Sequence, residues 1–161
     1  VFAAPYSKAA KVLNARVSQH GAAASTVHML LEATGEGFRR NRGNELVART
    51  VVVDETGTVD LFLFASILDA MSPWAHLVVS GDVDQLESVG PGRVLQDIVS
   101  IDRVDQHRLQ TTHRNGAAIL ELVGLIRQGR YPRVSPGPDV RFVGAEPTSK
   151  VSFEGVINLW L

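Results

Sequence analysis

No cysteine occurs in the 161 residues of this chain. Disulfides, thiolate metal sites and a sulfur nucleophile are thereby excluded, and a reducing cytoplasm is the expected location. No apolar run approaches a membrane span and no signal peptide opens the chain, so a membrane partner is not expected. The formal net charge is −1, which gives no global attraction to nucleic acid; any such contact must come from local basic clusters. A Gly-x-Ser-x-Gly nucleophile elbow and His-x-x-x-His zinc spacing are both missing. Serine-hydrolase and zinc-enzyme readings therefore lack support. With 45% hydrophobic and 20% charged residues, the composition is that of a soluble globular domain able to bury a core.

What is present centres on Val51-Val52-Val53-Asp54-Glu55-Thr56. Three β-branched residues without polar alternation predict a strand buried on both faces, the habit of a parallel sheet covered by helices. Such a strand delivers Asp54 and Glu55 to the carboxyl edge of the sheet, where open α/β folds bind ligands. A second apolar strand, 76–80, runs into Gly81-Asp82-Val83-Asp84-Gln85-Leu86. Two strands ending in acids and an amide predict one shared site.

These two segments, VVVDETGTVD and LVVSGDVDQLESVGPGRVLQDI, resemble the second and third motifs of the RecD-like branch of superfamily-one DNA helicases. The resemblance implies a RecA-like P-loop NTPase fold with a mostly parallel sheet flanked by helices, incomplete here. ATP and Mg2+ are the implied cofactors. By the same resemblance Asp54 holds magnesium through water, Glu55 polarises the attacking water, and Gln85 senses the γ-phosphate. An amide suits that last role because it can donate to a phosphate oxygen and accept from water at once. Gly90-Pro91-Gly92 forces a turn before a helix over 93–99, and the resemblance puts Gly90 and Arg93 beside the DNA channel. Family members have Ala-Ser-Met after the acid pair; here Thr56-Gly57-Thr58 follows, and Gly57 is expected to loosen the turn into the helix over 59–71.

Other segments fall in the family's order. Pro5-Tyr6-Ser7-Lys8 resembles a motif Ia loop that touches single-stranded DNA, with Tyr6 and Ser7 in place of Thr and Gly; the resemblance implies DNA contacts for Pro5, Ser7 and Lys8. On the residues alone this is an ordinary amphipathic helix with Ser7 as cap, Ala9, Val12, Leu13 and Val17 on one face, and a solvated Lys8. After a small-residue linker at 21–24, Ser25-Thr26-Val27-His28 opens another predicted helix with Ser25 as cap. It resembles a Ser-Thr-x-His-x-Leu-Leu element near the DNA path, implying contacts from Ser25 and His28, although a lone histidine is equally a hydrogen-bonded structural group. Residues 35–44, with three arginines and Phe38, predict a hairpin or irregular excursion, either solvated or able to stack on a base.

Alternation over 103–109 predicts a strand, followed by a segment at 110–115 that resembles motif IV. Arg114 falls on the family arginine that reaches the γ-phosphate. A helix over 116–129 ends at Gly129, a proline-rich linker covers 131–138, and a strand at 139–143 and a helix at 147–161 close the chain. The resemblance divides the chain into part of a first motor domain, 1–101, and the start of a second, 102–161.

The phosphate-loop pattern Gly-x-x-x-x-Gly-Lys-[Ser/Thr] does not occur in the 161 residues. The chain opens on an apolar strand at Val1 and ends on Trp160-Leu161, so a piece of a longer polypeptide is expected. Two readings remain open. In one, the chain is part of an ATP-dependent helicase translocating 5′ to 3′ on single-stranded DNA, with other recombination or repair subunits as partners and no turnover by the isolated chain. In the other, it is a degenerate, non-catalytic module that binds single-stranded DNA or a partner protein.

Overall fold

The computed structural model describes residues 1–109 and 117–130. The chain divides into two compact units, Val1–Gln106 and His107–Leu161. The first is an α/β layer structure with a four-stranded sheet in the order β2-β1-β5-β6, every pairing parallel. Its strands are β1 (Phe2–Ala4), β2 (Ala24–Thr26), β5 (Thr50–Val53) and β6 (His76–Val79). A two-stranded antiparallel hairpin, β3 (Ala33–Thr34) and β4 (Gly37–Phe38), fulfils the hairpin expectation for this glycine-rich stretch. Helices α1 (Ser7–Val17), α2 (Val27–Leu30), α3 (Leu61–Ala70) and α4 (Val94–Val99) complete the first unit. In the second unit, α5 (Ala117–Arg127) ends before Gly129, whose left-handed backbone (φ +66°) closes it as expected.

Strand parity explains the core. Val51 and Val53 point to one face and are fully buried with Ala3, Val27, Leu31, Val59, Ile67 and Ala70. The opposite face is thinner. Val52, in register with Val78, is only half-buried, and Val78 is 48% exposed. Burial of the Val51–Val53 strand on both faces is therefore corrected: its Val52 face is only partly buried, and α1 lies against β1 and β2.

Crossover direction accounts for the layering. The β1-α1-β2 connection steps one way along the sheet and β5-α3-β6 steps the other, and right-handed crossovers in opposite directions put α1 and α3 on opposite faces. The same reversal creates a switch point between β1 and β5.

Local signals needed four further corrections. Tyr6, not Ser7, is the N-cap of α1; it has extended backbone (φ −134°, ψ 159°), and Ser7 is already helical. Ala10 is the buried residue of α1, Val12 is 51% exposed, and Asn14 turns toward the sheet to accept from the Ala24 N–H at 2.9 Å. Ser25 lies inside β2, and its neighbour Thr26 caps α2 by accepting from the Met29 N–H at 3.1 Å. Residues 103–109 form a turn, a bend and irregular coil, exposed throughout, with no strand; alternation alone makes no ladder without a partner strand to accept the hydrogen bonds. The predicted elements at 131–138, 139–143 and 147–161 lie outside the described residues.

Candidate active site

All four parallel strands end at one edge, and the candidate residues emerge there because each follows a strand directly. Pro5 to Lys8 leave β1, Thr26 and His28 leave β2, Asp54 and Glu55 leave β5, and Ser80 to Asp82 leave β6. Asp54 and the Pro5 loop flank the switch point between β1 and β5, where such sheets leave a crevice.

Motifs two and three are laced together at this edge. Asp54 Oδ1 accepts from Ser80 Oγ at 2.6 Å and from the Glu55 N–H at 3.0 Å. Ser80 also donates its N–H to the Val53 carbonyl and accepts from the Thr56 N–H, each at 2.9 Å. Glu55 sits in the left-handed region (φ 56°, ψ 36°), a conformation that costs a non-glycine residue roughly 1–2 kcal/mol. Such strain persists where the surroundings over-determine it, and functional turns are its usual home. Thr56 is completely buried, with Oγ1 donating to the Val53 carbonyl at 2.9 Å. Residues Thr56–Thr58 then form a 3₁₀ turn, closed by Thr58 Oγ1 and N–H, both donating to the Glu55 carbonyl at 3.1 Å.

The loosening expected at Gly57 is corrected by this geometry. A Cβ there would lie 3.3 Å from the Asp82 carbonyl oxygen and 3.7 Å from Leu95 Cδ2. At Gly81 it would lie 2.8 Å from Leu95 Cδ2 and 3.1 Å from the Gly57 nitrogen. The two glycines let the motif backbones pass at close range, so the turn after the acid pair is packed rather than slack.

The Gly90-Pro91-Gly92 turn is docked on the start of α3. Asp60 caps that helix by accepting from the Leu63 N–H at 2.8 Å, and the Leu61 N–H donates to the Pro91 carbonyl at 2.9 Å. Helix α3 then buries Ile67 and Ala70 while leaving Phe62 69% exposed, so its apolar residues are only partly covered.

The remaining candidates are less closely joined. Gln85 is exposed, and its amide donates to Asp82 Oδ2 at 3.4 Å rather than to Asp54 or Glu55. Arg93 pairs with Glu87 at 2.7 Å on the surface. Ser7 and Lys8 are exposed, Pro5 is half-buried, and Ser25 Oγ donates to the Thr26 carbonyl. His28 is exposed with its ring tilted against Phe38, centroids 5.7 Å apart. Arg40, one of the loop arginines, is held by Glu32 at 2.6 Å. Arg114 lies outside the described residues.

Three residues escaped the sequence reading: Ser80, Asp60 and Asn14. Asp60 carried a legible signal, an acid directly before an apolar helical run. Ser80 carried one only in register, as the residue that follows β6 directly opposite Asp54. Among the described residues, no helix is long and apolar enough to cross a membrane.

This edge carries an acid pair after one strand and a Gly-Asp-x-x-Gln turn after its parallel neighbour. The chain belongs to the AAA domain family, whose model matches residues 1–136, and its fold is accordingly of the RecA-like P-loop class. Within that class it is a RecD-like superfamily-one helicase sequence. It is 43% identical over 111 residues to the RecBCD enzyme subunit RecD of Mycobacterium tuberculosis (strain CDC 1551 / Oshkosh), covering 66% of this chain and 19% of that protein. To the ATP-dependent RecD2 DNA helicase of Deinococcus radiodurans it is 38% identical over 89 residues, 55% of this chain and 12% of the relative. The ATP-dependent DNA helicase dda of Enterobacteria phage T4 is 27% identical over 153 residues, 88% of this chain and 34% of the relative. The chain thus spans about a fifth of the length of the RecD relative.

Proposed function

We propose that this chain forms part of the motor of an ATP-dependent DNA helicase that couples ATP hydrolysis to 5′ to 3′ movement along single-stranded DNA. The observation that carries this reading is the lacing of the acid-pair segment to Ser80 at the carboxyl edge, through Asp54 Oδ1 on one side of Glu55 and the Thr56 N–H on the other, beside the switch point. An acid pair merely ending a solvated turn would need no such support.

The donor set fits a magnesium ion. Magnesium keeps several waters and takes one or two carboxylates. Asp54 offers one oxygen already held by protein donors and a second that accepts no hydrogen bond from the described residues. When bound, the cation neutralises phosphate charge and polarises its oxygens. For ATP the fit is partial. The chain supplies acids and a sensing amide, and its 161 residues contain no lysine-bearing phosphate loop.

In this reading the Glu55 carboxylate orients the attacking water and accepts its proton. The Gln85 amide, released from Asp82, hydrogen-bonds to the terminal phosphate, and Arg114 neutralises its charge. Pro5, Ser7, Lys8, Ser25, His28, Gly90 and Arg93 contact the DNA strand, with Lys8 and Arg93 providing positive charge. The first motor domain takes residues 1–101 and the second begins in 102–161. Other recombination or repair subunits are the proposed protein partners.

Tyr6, Thr56, Gly57 and Asn115, which depart from the family pattern, favour the second reading, a module that binds DNA or a partner without turnover. Glu55→Gln in the full-length polypeptide separates the two. Loss of DNA-stimulated ATP hydrolysis with DNA binding retained supports the motor. An unmodified protein that binds single-stranded DNA yet never hydrolyses ATP, with or without Glu55, is the binding module.

A further inference from the structure

We infer that Ser80 is a positioning residue for Asp54: its hydroxyl fixes one carboxylate oxygen so that the other is presented to a hydrated divalent cation. The inference rests on the motor reading above and deepens it, because it assigns a role to a residue outside the acid pair and the sensing glutamine.

Register makes the contact a built one. Val53 and Val79 are partners in the parallel ladder, so residues 54 and 80 are the next pair. By strand parity both side chains then leave the sheet on the same side. In β6 the residues before Ser80 are Leu77-Val78-Val79, and this apolar run gives way to a hydroxyl at the position that faces the acid. The Ser80 Oγ to Asp54 Oδ1 distance of 2.6 Å is that of a hydroxyl donating to a charged carboxylate, stronger than a neutral hydrogen bond.

Saturation of Oδ1 is the second element. With Ser80 Oγ and the Glu55 N–H both donating to it, its lone pairs are occupied and the carboxylate plane is set. Oδ2 accepts from no described residue, so it is the oxygen left for a cation's water. The Ser80 backbone bonds to Val53 and Thr56 fix the hydroxyl itself, so β6 and the carboxylate are positioned as one piece. Hydrogen-bonding partners behind a metal ligand commonly govern affinity by about 10- to 100-fold.

The test uses the full-length protein with a non-hydrolysable ATP analogue, and measures Mn2+ affinity from the loss of the free-ion electron paramagnetic resonance signal. Ser80→Thr and Ser80→Val match in shape and differ in the hydroxyl. The valine variant is expected to weaken Mn2+ about tenfold, with the threonine variant staying near the unmodified protein. Equal affinities in the two variants, whether both normal or both weakened, overturn the inference. Ser80→Ala, which removes only Oγ at an exposed position, gives a second hydroxyl-free comparison should valine disturb the fold. Asp54→Asn run alongside keeps the two claims apart. Unchanged Mn2+ binding in that variant defeats the metal role of Asp54 itself, whereas weakening by Asp54→Asn with none from Ser80→Val or Ser80→Ala defeats only the role of Ser80.

Discussion

The backbone N–H of Leu61 donates to the carbonyl of Pro91 at 2.9 Å, so the turn that ends motif three satisfies one of the free donors in the first turn of α3. That helix starts only a few residues after the acid pair. A change in the turn is thereby mechanically tied to the segment that carries Glu55.

The glycines of this turn are required by contact. A Cβ on Gly90 would lie 2.8 Å from Asp60 Cβ and Cγ, and one on Gly92, at φ +101°, 2.9 Å from Leu61 Cβ. Gly90→Ala and Gly92→Ala are each expected to cost about 1–3 kcal/mol, read as a lowered urea midpoint. An unchanged midpoint in both would show that the turn is not seated on α3.

Glu55 sets stability against function. Its left-handed backbone suits glycine, so Glu55→Gly is expected to raise stability by up to about 1 kcal/mol while ending ATP turnover. Glu55→Gln should end turnover with the stability unchanged. Thermal melts of the two variants separate strain from charge, and a less stable glycine variant would mean that the turn is not strained.

The cap of α2 is a direct comparison. Thr26→Ala removes the acceptor for the Met29 N–H and is expected to cost about 1 kcal/mol. Ser25→Ala removes only a bond to the adjacent carbonyl and should cost less. The reverse order in denaturant unfolding would restore Ser25 as the cap.

Lys8 tests the DNA path. If its ammonium meets a phosphate, Lys8→Ala weakens single-stranded DNA uniformly across sequences and reduces the slope of log affinity against log salt by about 0.7. A fluorescence-anisotropy titration at several salt concentrations reads the slope, and an unaltered slope removes Lys8 from the interface.

Chain-local signals were the legible ones. The β-branched run at Val51 named its own strand, the apolar 76–79 stretch its neighbour, and glycine at 129 the end of a helix. Partner-dependent facts were not legible. Alternation at 103–109 looked like a strand, but a strand exists only when another backbone accepts its hydrogen bonds. Gly57 looked like slack because its neighbours Asp82 and Leu95 are distant in sequence. Ser80 became visible only once the register of β5 and β6 placed it opposite Asp54. Ser25 and Thr26 differ as caps by one residue, which is finer than helix boundaries can be read from sequence.

Strand β6 is the last of its sheet among the described residues, and Val78 within it is half open to water. A free ladder edge next to exposed valine is the template on which chains add to one another. Prepared by itself at high concentration, this polypeptide should therefore be a poor colloid: scattering that grows with concentration, and relief when a lysine replaces Val78.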